Sequence, residues 1–537
     1  MAHTNQYGYA KNVFARAGFA MCTPFLYCSL SAINSGWCIA VKGLTGISHF
    51  LRCLTVFCSI CQEVKYTSSR YTTPMSQMAI ATQFGLMNYE GRYLTAEKFE
   101  QEAGYSFKGY LRNQQQRYLE TGKNGNVLCE SSEKEKEYLF DVEVTDDGKW
   151  AFKDVFGKYL TGNTERLHTV LKRNAESLWA IHVTNHPHCN VRNISRKQYV
   201  TVNDNEFQAN VDIPWGMGCI VTLEFCKGKY AVKDTLGRYL NGVTGALENT
   251  CNDECLLSIL IQESSFAFRA SNGKYLTVYG PNGKLVATKK AVGKDELFAF
   301  EGSKAQCFFT ANNGKKVTLK GIDATANQVM EVSDTEIFQL DFHPDQEDKV
   351  SILARNKNYF VANEKSITAS SIKLTENCYC EMKWQNGKVA LKASNGKYIT
   401  SSSGGQLTPS SETCNDPNSL FALTLVNRER IILRGDQGYI GTTSNKVQCN
   451  LGSPDTLGVS LHNGKYKLKT KNGSYLKVDC NLSMVANPDE GDLFLFELCG
   501  INKMLIKARN GKYLAGYQNG TIMATGEKCS GGTIWEY

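Results

Sequence analysis

The sequence predicts an all-β chain of four tandem threefold barrels, and three observations carry that expectation. A phrase of glycine, a cation, tyrosine and leucine returns along the chain, its spacing settles near 40 residues, and the stretches between copies alternate apolar and polar side chains. Alternation of period two is the mark of a half-buried strand, and a fixed period marks a repeat architecture.

The 537 residues are 42% hydrophobic and 21% charged, with 46 Gly and only 10 Pro, which excludes collagen-like and wholly disordered chains. At ~150 residues per domain, the length fits roughly three to four domains. The formal charge is +8, but residues 1–74 hold six cations (Lys11, Arg16, Lys42, Arg52, Lys65, Arg70) against Glu63 alone. The remainder carries 54 basic against 51 acidic residues, a balance that announces no nucleic-acid partner.

The full phrase stands at Gly91–Leu94, Gly157–Leu160, Gly237–Leu240, Gly273–Leu276 and Gly511–Leu514, with Ile399 closing the copy at Gly396 and Ser474 replacing the cation in the copy at Gly473. Weaker copies centre on Tyr118, Tyr199, Val317, Tyr359 and Tyr439, giving twelve anchors in all. They lie 36 to 42 residues apart, except for 25 between Tyr93 and Tyr118. Each unit reads as an alternating strand (Val389–Ala393), a turn (Ser394–Gly396), a second strand (Lys397–Thr400), a polar loop and an apolar closing strand (Leu420–Leu425). Asn-Gly at 272, 395, 472 and 510 suits two-residue type I′ turns. Such a unit cannot bury its apolar face alone and must pack against sister units. Grouping by threes gives 81–185, 186–303, 304–427 and 428–537, the size of β-trefoils, with the first one shortened.

Residues 1–80 form an N-terminal extension, read as disordered or as lying before the true start, since Met75 and Met78 precede the first strand expected at Thr82–Asn88. The charge-free stretch 17–41 is interrupted by Pro24, Gly36 and several Ser and Asn, so no membrane insertion is expected. Its cations without acids also have the character of a targeting peptide. Of 20 cysteines, six crowd into the first 61 residues; without a repeated pairing pattern, reduced cytosolic thiols are expected. Cys58 and Cys61 have CxxC spacing but no second pair at zinc-ribbon distance.

One family resembles this chain over essentially all of 81–537. The residues that carry it are Phe84–Asn88 with Arg92–Glu97, Asp212–Gly216, Val292–Phe298, Ala326–Gln328 with Glu336–Leu340, Leu391–Lys397, Leu433–Gly435 with Gly438–Gly441, and Trp535–Tyr537. In this order they resemble the fascins, four-trefoil actin-bundling proteins. The resemblance implies a monomeric, non-enzymatic cytoplasmic protein with F-actin as partner, supporting filopodia, microvilli and similar cell protrusions. Two departures stand out. Fascins carry a serine beside several lysines after the position of Phe99, where this chain runs into Glu100–Ala103; and Ala515 stands where a family member has lysine.

The candidate actin-binding cations are Arg92; Arg196 and Lys197; Lys284, Lys289, Lys290 and Lys294; and Lys465, Lys467 and Lys469. The second cluster packs four cations into eleven residues, and the third, continued by Lys471, alternates along one strand, so its charges share a face and repel unless anions meet them. An ordinary solvated surface is the competing reading of each. No Gly-x-Ser-x-Gly, Gly-x4-Gly-Lys-Ser/Thr or His-Glu-x-x-His is present, so no enzyme, cofactor or metal is expected. His182, His186, His188 and Cys189 have ligand chemistry but read as a buried or junction-facing histidine set. The rival function is a carbohydrate-binding trefoil lectin, although the chain holds no Gln-x-Trp signature.

Overall fold

The computed structural model describes residues 57–59 and 83–537, except 91–92, 95–97, 102–107, 113–116, 134, 164–165, 184, 263–264 and 445. The charge-free stretch 17–41, Cys61, both early methionines and Arg92 lie outside the described residues. Regular structure among the described residues is strand, with short 3-10 turns between strands.

The barrel built from strands between Ala305 and Leu425 shows the architecture most completely. Ala305–Thr310 pairs with Phe338–Phe342 and with Leu420–Leu425, Lys349–Leu353 pairs with Phe338–Phe342 and Tyr379–Gln385, and Lys388–Lys392 pairs with Tyr379–Gln385 and Leu420–Leu425. These six strands close into a ring, so no barrel edge is left unpaired. Three hairpins, Lys316–Lys320 with Asp323–Gln328, Tyr359–Ala362 with Ile367–Ser371 and Tyr398–Ser401 with Leu407–Ser411, cap one end. Phe309, Phe338, Phe360 and Phe421 fill the interior, and one apolar cluster runs from this barrel into the next at 428–537.

Two sequence expectations need correction. A complete unit has four strands rather than three, because the polar loop contains a strand such as Leu407–Ser411 and a 3-10 turn such as Pro417–Ser419. The Asn-Gly pairs at 272, 395, 472 and 510 do not form type I′ turns: only their glycines have positive φ, from 74° to 88°. The hydrogen bonds Gly273 N to Ala270 O and Ala270 N to Lys274 O instead enclose a three-residue turn ending in a left-handed glycine. True two-residue turns with both φ positive join a closing strand to the next unit, at Lys227-Gly228, Asn386-Gly387 and Asn463-Gly464.

The described chain forms two compact units, one holding Phe57–Ser59 and the first trefoil, the other holding residues 185–537. In the first trefoil, Lys98–Gln101 follows the anchor directly and pairs with Lys108–Arg112, from Lys98 opposite Arg112 to Gln101 opposite Gly109. In complete units that register belongs to the closing strand, as where Val221–Cys226 pairs with Lys229–Lys233. The short first interval thus leaves one described strand between the anchor and the next unit, and that strand takes the closing-strand register. Gln83–Met87 is flanked by Ala180–Val183 on one side and by Phe57–Ser59 on the other, with Phe57 opposite Gly85.

Candidate functional site

The repeated phrase has a local physical meaning that decides which cations are free. Its leucine is core: Leu160, Leu240, Leu276, Leu476 and Leu514 are buried. Its tyrosine stands opposite the last residue of the preceding strand, which is a cation six positions earlier in Lys153–Tyr159, Lys233–Tyr239, Lys392–Tyr398, Lys469–Tyr475 and Lys507–Tyr513. The ammonium lies over the ring at 5.6 Å for Lys153, 4.6 Å for Lys233, 5.1 Å for Lys469 and 5.3 Å for Lys507. Such cation–π contacts are worth about 0.5–1 kcal/mol at exposed sites. Lys469 is therefore part of the repeat's own bracing. Lys467 also lies over Tyr475, at 5.8 Å, Lys471 meets Asp455 at 2.6 Å, and Lys465 is exposed. The repulsion expected along this strand is relieved by one ring and one carboxylate.

In the second trefoil, residues far apart in sequence form one basic corner. The first strand, His188–Asn193, ends on the buried Asn193, whose carboxamide donates to Asp295 O at 3.0 Å and Leu297 O at 3.2 Å. Its oxygen accepts from Arg196 N at 2.9 Å, closing the turn 194–197. Ile194 N also donates to Leu297 O at 2.9 Å. The turn carrying Lys197 is thereby pinned against the 3-10 segment Lys294–Glu296, itself capped by Gly293 N donating to Glu296 Oε2 at 2.8 Å.

The candidates at this corner divide by their partners. The Arg196 guanidinium donates to Val278 O at 2.7 Å and Gly280 O at 2.9 Å, so it braces the turn against the neighbouring hairpin. Lys284 is paired with Glu206 at 2.6 Å. Lys197, Lys289, Lys290 and Lys294 are exposed, and no ion pair is found for them among the described residues. Asn193, the residue that assembles the corner, escapes sequence reasoning: its partners lie 102 and 104 residues away.

His186 and His188 are buried with ring centroids 5.9 Å apart. Burial, helped by Arg434, pushes His186 down to about 3, and burial likewise holds His188 well below the ordinary imidazole range. Neutral rings at a trefoil junction fit packing. Among the described residues no His, Cys, Asp and Glu group has metal-holding geometry, and no helix is long and apolar enough to cross a membrane.

The Fascin domain model matches residues 95–179, 189–300, 304–423 and 438–537. The chain is 29% identical over 485 residues to Fascin-2 of Bos taurus, covering 85% of this chain and 98% of that protein. It is 28% identical over 515 residues to Fascin of Strongylocentrotus purpuratus, covering 86% and 100%, and 22% identical over 491 residues to Fascin-3 of Mus musculus, covering 84% and 96%.

Proposed function

The chain belongs to the fascin family, and from that premise we propose that it binds actin filaments and cross-links them into tight parallel bundles supporting cell protrusions. The observation that carries this reading is the basic corner of the second trefoil, where Lys197, Lys289, Lys290 and Lys294 are presented without ion-pair partners among the described residues. An acidic filament surface supplies the missing anions. Complementary charge of this kind contributes on-rate and orientation more than raw affinity, and within ~8 Å it survives physiological salt.

Bundling needs two filament contacts on one body, because a single contact only decorates. Lys465 offers a second basic position in the fourth trefoil, within the same compact unit as the corner. A monomer then suffices, and the chemistry is binding without catalysis, in the cytoplasm where filaments lie.

Low-speed co-sedimentation with purified filaments tests the reading: bundles pellet with the protein, and rising salt releases them. Intact protein that leaves the filaments unbundled contradicts it. Binding on a glycan array without filament binding would favour the lectin instead.

A further inference from the structure

Two short linkers meet inside the second compact unit. Ser303–Lys304 joins the second trefoil to the third, and Asn427–Arg428 joins the third to the fourth. The three polar groups of Lys304 are engaged by two different trefoils and by the other linker. Its N–H donates to Asn190 Oδ1 at 3.1 Å in the second trefoil, and its ammonium reaches Asp341 at 2.8 Å in the third. Its carbonyl accepts from Asn427 Nδ2 at 2.8 Å and Arg428 Nη2 at 3.3 Å in the other linker. Burial opposes the charge of Lys304, but Asp341 and Glu301 outweigh it and hold the ammonium above the usual lysine range.

Arg428 is 4% exposed, and its hydrogen bonds go to neutral oxygens: Nη1 to Asn427 O at 2.9 Å, Nη2 to Ser303 O at 3.2 Å and to Ser303 Oγ at 3.1 Å. The Tyr537 ring faces the guanidinium at 5.2 Å. Burying a cation is costly unless its donors are used, and only the planar fork of arginine can span acceptors on both linkers. The knot extends through Gln306, whose N–H donates to Asn427 Oδ1 at 3.0 Å while its carboxamide takes Gly216 N and gives to Pro214 O, both at 2.8 Å.

We propose that Asn427 and Arg428 clamp the linker Ser303–Lys304, and that this knot is the positioning element that fixes the second trefoil against the third and fourth, which one apolar cluster already joins. A trefoil that swings must break several buried hydrogen bonds at once. The exposed pairs elsewhere between trefoils, Lys357–Asp212 at 2.9 Å and Lys503–Glu347 at 2.7 Å, contribute little by comparison. The role in bundling rests on the actin reading above; the clamp itself is judged without actin.

The test uses the full chain with Asn427→Ala and, separately, Arg428→Lys, with Lys503→Ala as control. In calorimetry the second unit of the wild type and of the control melts as one transition, and each clamp variant splits it. With filaments, the clamp variants keep high-speed binding within about twofold but lose low-speed bundling by about tenfold or more, the effect of roughly one lost buried hydrogen bond. Should Arg428→Lys fail to fold, Asn427→Ala decides. Undivided melting in the folded clamp variants overturns the clamp, and divided melting with undiminished bundling overturns its positioning role. A wild type that does not bundle overturns the actin reading, while the clamp still stands or falls by the calorimetric transitions.

Discussion

Replacing Asn193 with alanine removes three side-chain hydrogen bonds at the base of the basic corner, at 2.9, 3.0 and 3.2 Å. Leu297 O keeps its bond from Ile194 N, so the main losses are Arg196 N and Asp295 O. At about 1 kcal/mol net for each bond, the variant loses roughly 2–3 kcal/mol. Spread over a unit the size of residues 185–537, that lowers its melting temperature by about 3–4 °C, at roughly 1.4 °C per kcal/mol from ~2.1 cal/mol/K of unfolding entropy per residue. Released from Asp295, the turn carrying Lys197 moves away from Lys294, and filament binding weakens together with stability. Ser195→Ala, at an exposed position of the same turn, changes neither. Calorimetry and co-sedimentation on the three proteins decide the matter. An Asn193→Ala chain that melts within a degree of wild type and binds filaments undiminished would show that Asn193 does not hold the corner together.

Other consequences are equally open to measurement. The unfolded chain protonates its histidines near pH 6.5, whereas folded His186 stays neutral down to about 3, so stability is present above pH 6.5 and is lost as pH falls below it. The loss is roughly 1.4 kcal/mol per pH unit for His186 alone; urea midpoints at pH 7.5 and 5.5 should fall in wild type and fall less in His186→Gln, and equal falls would count against the buried pair. Gly283 has φ +71° and its missing Cβ would lie 2.4 Å from Ala209 O, whereas Gly396, at φ +82°, has open space. Both alanine variants lose the ~1–2 kcal/mol of a left-handed residue, and Gly283→Ala loses measurably more in denaturant titration; equal losses would show that the close approach costs nothing. Lys469→Met should lower stability by about 0.5–1 kcal/mol through Tyr475, while Lys465→Met leaves stability alone and weakens filament binding; the reverse pattern would exchange their roles.

The fold was legible because the anchor, a tyrosine everywhere but at Val317, recurs once per unit. What the period hid was the third strand. Ile367–Ser371 and Leu407–Ser411 are rich in Ser and Thr and become exposed toward their ends, at Ser370 and Ser410, so they read as polar loop. The turn type was misplaced because the same Asn-Gly dipeptide serves two geometries, and the strand pairing on either side decides which one forms. At the site, cation positions are visible in sequence, but their partners are not. Glu206 lies 78 residues from Lys284, and Asp295 lies 102 from Asn193. The bracing of Lys469 by Tyr475 had a local signal, a cation six residues before the anchor that recurs at Lys153, Lys233, Lys392 and Lys507, which becomes meaningful only once the two strands are seen to pair.

The most direct measurement is paired high-speed and low-speed sedimentation of filaments with the chain bearing Lys197→Glu, Lys289→Glu, Lys290→Glu and Lys294→Glu. If the corner of the second trefoil is one of two filament contacts, this protein still travels with filaments at high speed through its remaining face, but no bundles pellet at low speed. Bundles as abundant as those of wild type would contradict the account.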